Sequence, residues 1–495
     1  MTKFVVTITP PTPNGDLHIG HLSGPFLAAD VFKRAQQLRG HDCVLVCYSD
    51  DYQSYMVRKG LEQGMDPYAL ARLNTDKIRS TLALTDVSID HWHVPYQNRY
   101  FAEAVSQCIK ALEAGGGLER RISSEPHCPR CDRWGYEAFG RGDCNYCGAD
   151  SDASQCEGCA QEPISSEMGN FRCKLCGGKH EWLPVDRVFL KLDKYRTVLR
   201  DLFATMPLRH PLHDWLDDTI ATKLHDWGVT RPHDGGLDLA PDGSMRVHTW
   251  FMGLAGYMAA FREWADQEGR EPGLFEQYWT SPDNYLVHFL GFDCVLSHAI
   301  VYPAIKSDMP ELAIKQRYFP NQFLTLDGLN LSTSRNHAIW MRDLVAEACS
   351  DSARLYLASV APEEAEGDFS IAGFRAWRQD VFGTFVPHLL GPAAARRTEG
   401  GKSATVAGWR DRWRHATSLD HFSMKQLAVL VQEIIDTIRA DHAAGRSNTC
   451  LALALSVFAR PLTPKLSDQI LAAFHVDAAE ASRRVLDDAV AEYMI

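Results

Sequence analysis

The chain opens on a short apolar run, FVVTIT from Phe4 to Thr9, closed by a proline-rich turn. Apolar residues then recur at helical spacing (Leu22, Phe26, Ala29, Phe32) as far as Arg39. After Gly40 a second run, Cys43 to Cys47, predicts a buried strand that ends at Ser49-Asp50-Asp51. Strand, helix and strand in this order place polar groups at the carboxyl ends of parallel strands, as in a doubly wound α/β sheet. From about Glu119 to Glu181 the pattern turns polar and glycine-rich, with too little apolar periodicity for a core of its own. Apolar runs resume at Val188–Leu192, Val247–Phe251 and Tyr285–Phe292, which predict completion of the sheet after the interruption. Beyond Phe369 the pattern is helical (Phe422, Leu427, Leu430, Ile434, Ile438), broken by a Gly/Ala/Arg-rich stretch, Gly391 to Gly408, that reads as a flexible connection. The predicted organisation is 1–118 and 182–325 for the two halves of the α/β domain, 119–181 for an insertion, 326–368 for a linker and 369–495 for a helical bundle.

At 495 residues there is room for several packed domains. The formal charge of −12 gives no global attraction to phosphate backbones or anionic lipid, so any nucleic-acid contact must be local. The first residues, MTKFVVTITPP, lack a signal-peptide pattern, and no later segment supplies about 18 uninterrupted apolar residues. A cytoplasmic location with no membrane contact is therefore expected. Eight of the 14 cysteines form four Cys-x-x-Cys pairs: Cys128/Cys131, Cys144/Cys147, Cys156/Cys159 and Cys173/Cys176. In a reducing compartment these read as metal ligands rather than disulfides. Four thiolates make a tetrahedral zinc site, so four pairs hold two structural Zn2+ ions.

The segment Pro10-Pro11-Thr12-Pro13-Asn14-Gly15-Asp16-Leu17-His18-Ile19-Gly20-His21 lies between strand and helix, where unpaired backbone N–H groups favour phosphate. It resembles the HIGH signature of class I aminoacyl-tRNA synthetases. Gly328-Leu329-Asn330-Leu331-Ser332-Thr333-Ser334-Arg335 stands where the family's KMSKS signature belongs. Within the class the resemblance is closest to methionyl-tRNA synthetases, over roughly the first 365 residues. The cysteine block looks like their two-zinc insertion, His248 to Tyr257 like their methionine-pocket segment, and His288 to Asp293 with His298 like their ribose and pocket-wall segment.

This resemblance implies a Rossmann-type fold that uses ATP with Mg2+. His18, His21, Ser332, Ser334 and Arg335 would be catalytic, and Asn14, Gly15, His18, Gly20, His21, Gly291, Asp293 and Leu331 would bind ATP. The amino acid would meet Pro10, Thr12, Asp50, Trp250, Gly253, Leu254, Tyr257, Ser297 and His298, with Asp50 receiving its ammonium. Taken alone, Trp250 and Tyr257 read as core aromatics and Asp50 as a helix cap or a ligand. By resemblance to single-zinc relatives, Cys144, Cys147, Cys156 and Cys159 share one ion, and Cys128, Cys131, Cys173 and Cys176 the other.

The departures from the family change the expected chemistry. Asn330 and Thr333 replace the two lysines of KMSKS and Phe292 a further lysine; each lost transition-state donor costs about 3 kcal/mol. Arg335 is the remaining cation, with Lys315 and Arg317 as further candidates. Thr12 and Ser297 put hydroxyls where the family has apolar walls, and unpaired hydroxyls around a thioether disfavour methionine. Arg460 to Leu466 is similar to the final helix pair of the anticodon-binding bundle. The anticodon-reading helix is not recognisable in Phe382 to Gly391, and the aromatic expected after Ile438 is missing, with Trp409 and Trp413 as nearby substitutes. The leading expectation is an enzyme that adenylates an amino acid and transfers the acyl group to a small-molecule or protein acceptor rather than tRNA. The hydrazine-forming synthetases are relatives of this kind, and the cupin-type enzyme such chemistry uses would be a separate partner. The alternatives are a divergent methionyl-tRNA synthetase and a non-catalytic amino-acid or nucleotide sensor.

Overall fold

The computed structural model describes residues 1–232, 236–238, 246–331, 337–391, 403–446 and 449–486. Its centre is a five-stranded sheet of β1 (Lys3–Ile8), β2 (Asp42–Tyr48), β3 (His91–His93), β4 (Tyr285–Gly291) and β5 (Lys315–Asn321), in the order β5-β4-β1-β2-β3. All four pairings are parallel. The strand order reverses between β1 and β4, which puts the ligand crevice of a doubly wound sheet outside their carboxyl ends.

The apolar alternation explains why the sheet is buried on both faces. Phe4, Val6 and Ile8 of β1 and Cys43, Leu45 and Cys47 of β2 enter one core; Val5, Val44, Val46 and Tyr48 enter the other. The first core continues into the C-terminal helices, where Phe422 packs on Phe32, Phe289 and Phe319 with ring centres 5.2–5.5 Å apart. Leu427, Leu430, Ile434 and Ile438 are buried in it, as their spacing predicts. Arg354 and Asp30 form a fully buried ion pair across the same junction, at 2.6 Å.

Three expectations need correction. Of the runs after the insertion, only Tyr285–Phe292 joins the sheet. Val188–Leu192 instead ends a long antiparallel hairpin, Leu118–Cys128 against Glu181–Leu190, and only Val247 of the Val247–Phe251 run is extended, in a small antiparallel sheet. Polar β5 and three-residue β3, with no apolar run to announce them, take the vacant places. The helix expected from Leu22 to Arg39 is broken at Gly24-Pro25, where Gly24 leaves helical geometry (φ −101°, ψ −120°) and proline cannot donate; α1 runs from Leu27 to Leu38. Residues 403–408 of the stretch expected to be flexible begin a helix, Ser403–Ala416, and residues 392–402 lie outside the described residues. Among the described residues no helix is long and apolar enough to cross a membrane.

Candidate active site

A cavity of about 300 Å³ opens at the carboxyl ends of β1 and β4. Thr9, Pro10, Thr12 and Asn14 follow β1 into it, Asp50 and Gln53 follow β2, and Asp293, Cys294, Ser297 and His298 follow β4. Trp250 also lines it. Tyr257, Gly253 and Leu254 do not, because they sit on α2 (Gly253–Ala265), one layer behind and buried. Tyr257 acts through His298: its hydroxyl lies 2.9 Å from His298 Nε2. His298 Nδ1 faces the Cys294 carbonyl at 3.0 Å, and a carbonyl can only accept, so Nδ1 carries the proton. Burial lowers the His298 pKa to about 4, so the ring is neutral. Gly253 is a packing requirement, since a Cβ there would strike the Tyr302 hydroxyl at 1.6 Å.

Asp50 is buried at the cavity floor. It accepts from the Thr249 hydroxyl at 2.6 Å and from the Gln53 amide. Burial, with the charges of Asp51 and Glu137 nearby, raises its pKa to about 7 against those hydrogen bonds. Among the described residues no ion pair neutralises it, so its carboxyl is open to a cation from a ligand. The hydroxyls of Thr12 and Ser297 correct an expectation, because neither is unpaired. Thr12 donates to Gln53 Oε1 at 2.8 Å and Ser297 to the Cys294 carbonyl at 3.0 Å.

The polar character of the cavity comes instead from a wall the sequence reading missed. Tyr55, Asp152, Ser154, Gln155 and Glu157 line it, four of them from the cysteine-rich insertion. Gln155 donates to the Asp293 backbone at 2.8 Å, which closes the insertion onto the turn after β4. Burial and the charge of Glu157 push Asp293 up to about 6. A buried cluster bolts the same wall down. Glu137 of the insertion takes Ser54 at 2.8 Å and His248 at 2.8 Å, and Arg231 joins Glu162 at 2.8 Å. Burial raises the Glu137 pKa, but His248 and Arg231 hold it down to about 2.

Beside the cavity, His18 caps a single helical turn, Ile19–His21, separate from α1. The expected long-helix N-terminus is therefore a one-turn element. His18 Nδ1 accepts from Gly20 N at 3.1 Å and His21 Nδ1 from His18 N at 3.2 Å, so both rings carry their proton on Nε2. Burial lowers the His18 pKa to about 4 and that of His21 well below its usual value, helped by His18. The pair consists of two neutral N–H donors, 3.9 Å between ring centres.

The segment after the KMSKS-like loop docks on this turn. Ile19 N donates to the Ile339 carbonyl at 3.0 Å and Met341 N to that of Leu17 at 3.0 Å, and Trp340 lies beside His18. Leu331 packs on Gly20, where an added Cβ would meet it at 2.8 Å. Gly291 is similarly confined by Asp293 Oδ1 at 2.5 Å, whereas a side chain on Gly15 would meet nothing within 4 Å. Ser332, Thr333, Ser334 and Arg335 lie outside the described residues, and Asn330 is exposed. Lys315 and Arg317 are corrected as compensating cations. Both sit at the start of β5, opposite the crevice, and Lys315 pairs in register with Tyr285. Six residues of strand for Lys315 and four for Arg317, about 20 and 13 Å, separate them from Asn321 at the ligand end.

The eight cysteines form the two expected groups, each with its sulfurs within 4.8 Å of one another. Sulfurs 3.6–3.8 Å apart match the edge of a tetrahedron with Zn–S bonds of about 2.3 Å. After the second cysteine of every pair the chain turns left-handed, at Asp132, Gly148, Ala160 and Gly177 (φ 50°, 76°, 58° and 70°). The same turn is thus built four times, aiming backbone N–H groups at the thiolates. Both groups fit structural zinc.

A doubly wound sheet with a histidine pair on the turn after its first strand, a buried carboxyl after the second and a four-knuckle cysteine insertion matches the class I synthetase core that the sequence resembles. The family model for class I tRNA synthetases (M) matches residues 4–381, and the chain belongs to that family. It is 27% identical to the methionine–tRNA ligase of Salinibacter ruber over 409 residues, 78% of this chain and 57% of that protein. It is 28% identical to that of Methanopyrus kandleri over 383 residues, 76% and 56% of the two. The chain thus spans a little over half the length of the curated relatives it matches. Mycobacterium tuberculosis methionyl-tRNA synthetase in complex with methionyl-adenylate has the same fold, with a TM-score of 0.75 at 16% identity over 99% of this chain and 97% of that one.

Proposed function

We propose that the protein activates a polar amino acid with ATP and passes the acyl group to an acceptor other than tRNA. The supporting observation is the cavity itself, an amino-acid-sized space with Asp50 on its floor and a far wall of Asp152, Gln155 and Glu157. Asp50 takes the α-ammonium, and its charge is favoured once that cation is bound. The substrate carboxylate attacks the α-phosphorus of ATP and pyrophosphate leaves. His18 and His21 donate their Nε2–H groups to phosphate oxygens, and Mg2+ carried in with ATP would neutralise part of the nucleotide's charge. Asp152 is already paired with Lys174 and Gln155 with the Asp293 carbonyl, so a side chain that hydrogen-bonds is selected through their remaining donor and acceptor positions and through exposed Glu157. Trp409 and Trp413 are buried in the helical core, which speaks against their stacking on anticodon bases.

A second reading, methionine activation for tRNA charging, is favoured by the names of the relatives and by the internal pairing of Thr12 and Ser297. Pyrophosphate exchange across a panel of amino acids, followed by charging of total tRNA, separates the two. Exchange with a polar amino acid and no charging is expected. Selective exchange with methionine and efficient charging would reverse the conclusion, and no exchange with any amino acid would favour a sensor.

A further inference from the structure

We infer that His91, His93 and Glu263 form a third metal site, for a divalent ion such as Zn2+ or Co2+, remote in sequence from both cysteine groups. β3 is an edge strand of the sheet, and residues two apart on a strand share a face, so both imidazoles point the same way. They meet Glu263 of α2. His91 Nε2 lies 2.8 Å and His93 Nδ1 2.6 Å from the same carboxylate oxygen, Oε2. All three ligand atoms fall within 4.8 Å of one another.

The surroundings resemble the outer shell of a metal centre, where partners orient each ligand. Asn98 donates to the other Glu263 oxygen at 3.0 Å, and the Gln267 amide lies 3.1 Å from the other His91 nitrogen. With metal on Nε2, His91 Nδ1–H would donate to the Gln267 oxygen after an amide flip. Two nitrogens and one carboxylate suit zinc and leave one position open. Ligand atoms around zinc sit about 3.3 Å apart, so binding asks the contacts to widen by roughly half an ångström. The Glu263 side chain is 27% exposed, which provides entry for the ion and room for a water ligand. The buried His93 Nε2 has no partner among the described residues, and a metal on Nδ1 would leave that unchanged.

The site would clasp the sheet edge to the helix behind the amino-acid cavity. His93 reaches that cavity through its carbonyl, which accepts from Ser49 N at 3.2 Å, next to Asp50.

The test uses the whole protein with its zinc retained, incubated with Zn2+, desalted and analysed for metal, and in parallel titrated with Co2+. Three equivalents per chain are expected for the wild type and two for both His91→Ala and Glu263→Gln. Added Zn2+ should raise the melting temperature of the wild type only. Glu263→Gln is nearly isosteric and decides the matter if His91→Ala folds poorly. Two equivalents in the wild type, or a third retained by the folded variants, would overturn the inference. Cobalt bound at this site should also lack the thiolate charge-transfer band that cysteine sites produce.

Discussion

The two four-cysteine groups are built from the same turn, yet they hold different things. Between Cys147 and Cys159 the chain carries Asp152, Ser154, Gln155 and Glu157 to the cavity, so the Cys144/Cys147/Cys156/Cys159 group sets a wall of the binding site. The Cys128/Cys131/Cys173/Cys176 group closes the tip of the long hairpin. It reaches the cavity through Lys174, which pairs with Asp152 at 2.6 Å. One metal would therefore shape specificity and the other mainly the insertion's fold. A zinc held by the inner group would act on the site through the side chains its loop displays.

Breaking each group separately should give the largest contrast. Cys156→Ser should cost about a hundredfold or more in affinity for the activated amino acid, because a loop with so little apolar core would take most of its folding energy from the bound ion. Cys131→Ser should cost less than a tenth of that while still releasing one zinc. Calorimetric titration beside metal analysis reads both, and equal losses would end the distinction.

Asp50→Asn, which leaves both groups intact, should weaken amino-acid binding about 10- to 100-fold by removing a charge-assisted contact, with the melting temperature unchanged or raised. The pH dependence follows from the same carboxyl. Its pKa of about 7 means that it is protonated below that pH and cannot pair with an ammonium. Affinity should therefore fall about tenfold per unit as pH drops below 7 and level off above it, in the wild type but not in Asp50→Asn.

The smallest effect tests the link between the groups. Lys174→Met removes the outer group's ion pair with Asp152 and should change affinity only about threefold, since partly exposed pairs are worth about 1 kcal/mol or less. A loss as large as that of Cys156→Ser would mean that the two groups act as one unit.

What could be read along the chain were features with short-range signatures. The alternation in β1 and β2, the histidine pair three residues apart, the four Cys-x-x-Cys turns and the helical stripe from Phe422 to Ile438 all report contacts within one or two turns of backbone. Family resemblance extended this to Asp50 and to the pairing of the cysteines. Pattern misled where an apolar run had two possible partners, as at Val188–Leu192, which pairs within the hairpin. It was silent for β5, whose lysine, glutamine and arginine hide a central-sheet neighbour of β4.

The sequence by itself determined the class of fold, the histidine pair after the first strand and the two sets of four cysteines, because these depend on residue type and local spacing. Tertiary structure alone decided which side chains meet around the cavity and behind it. Gln53 stands 41 residues from Thr12, Gln155 stands 138 from Asp293 and Glu263 stands 170 from His93. No local periodicity encodes such a meeting, since it follows from how strands, insertion and helix pack once the core is buried.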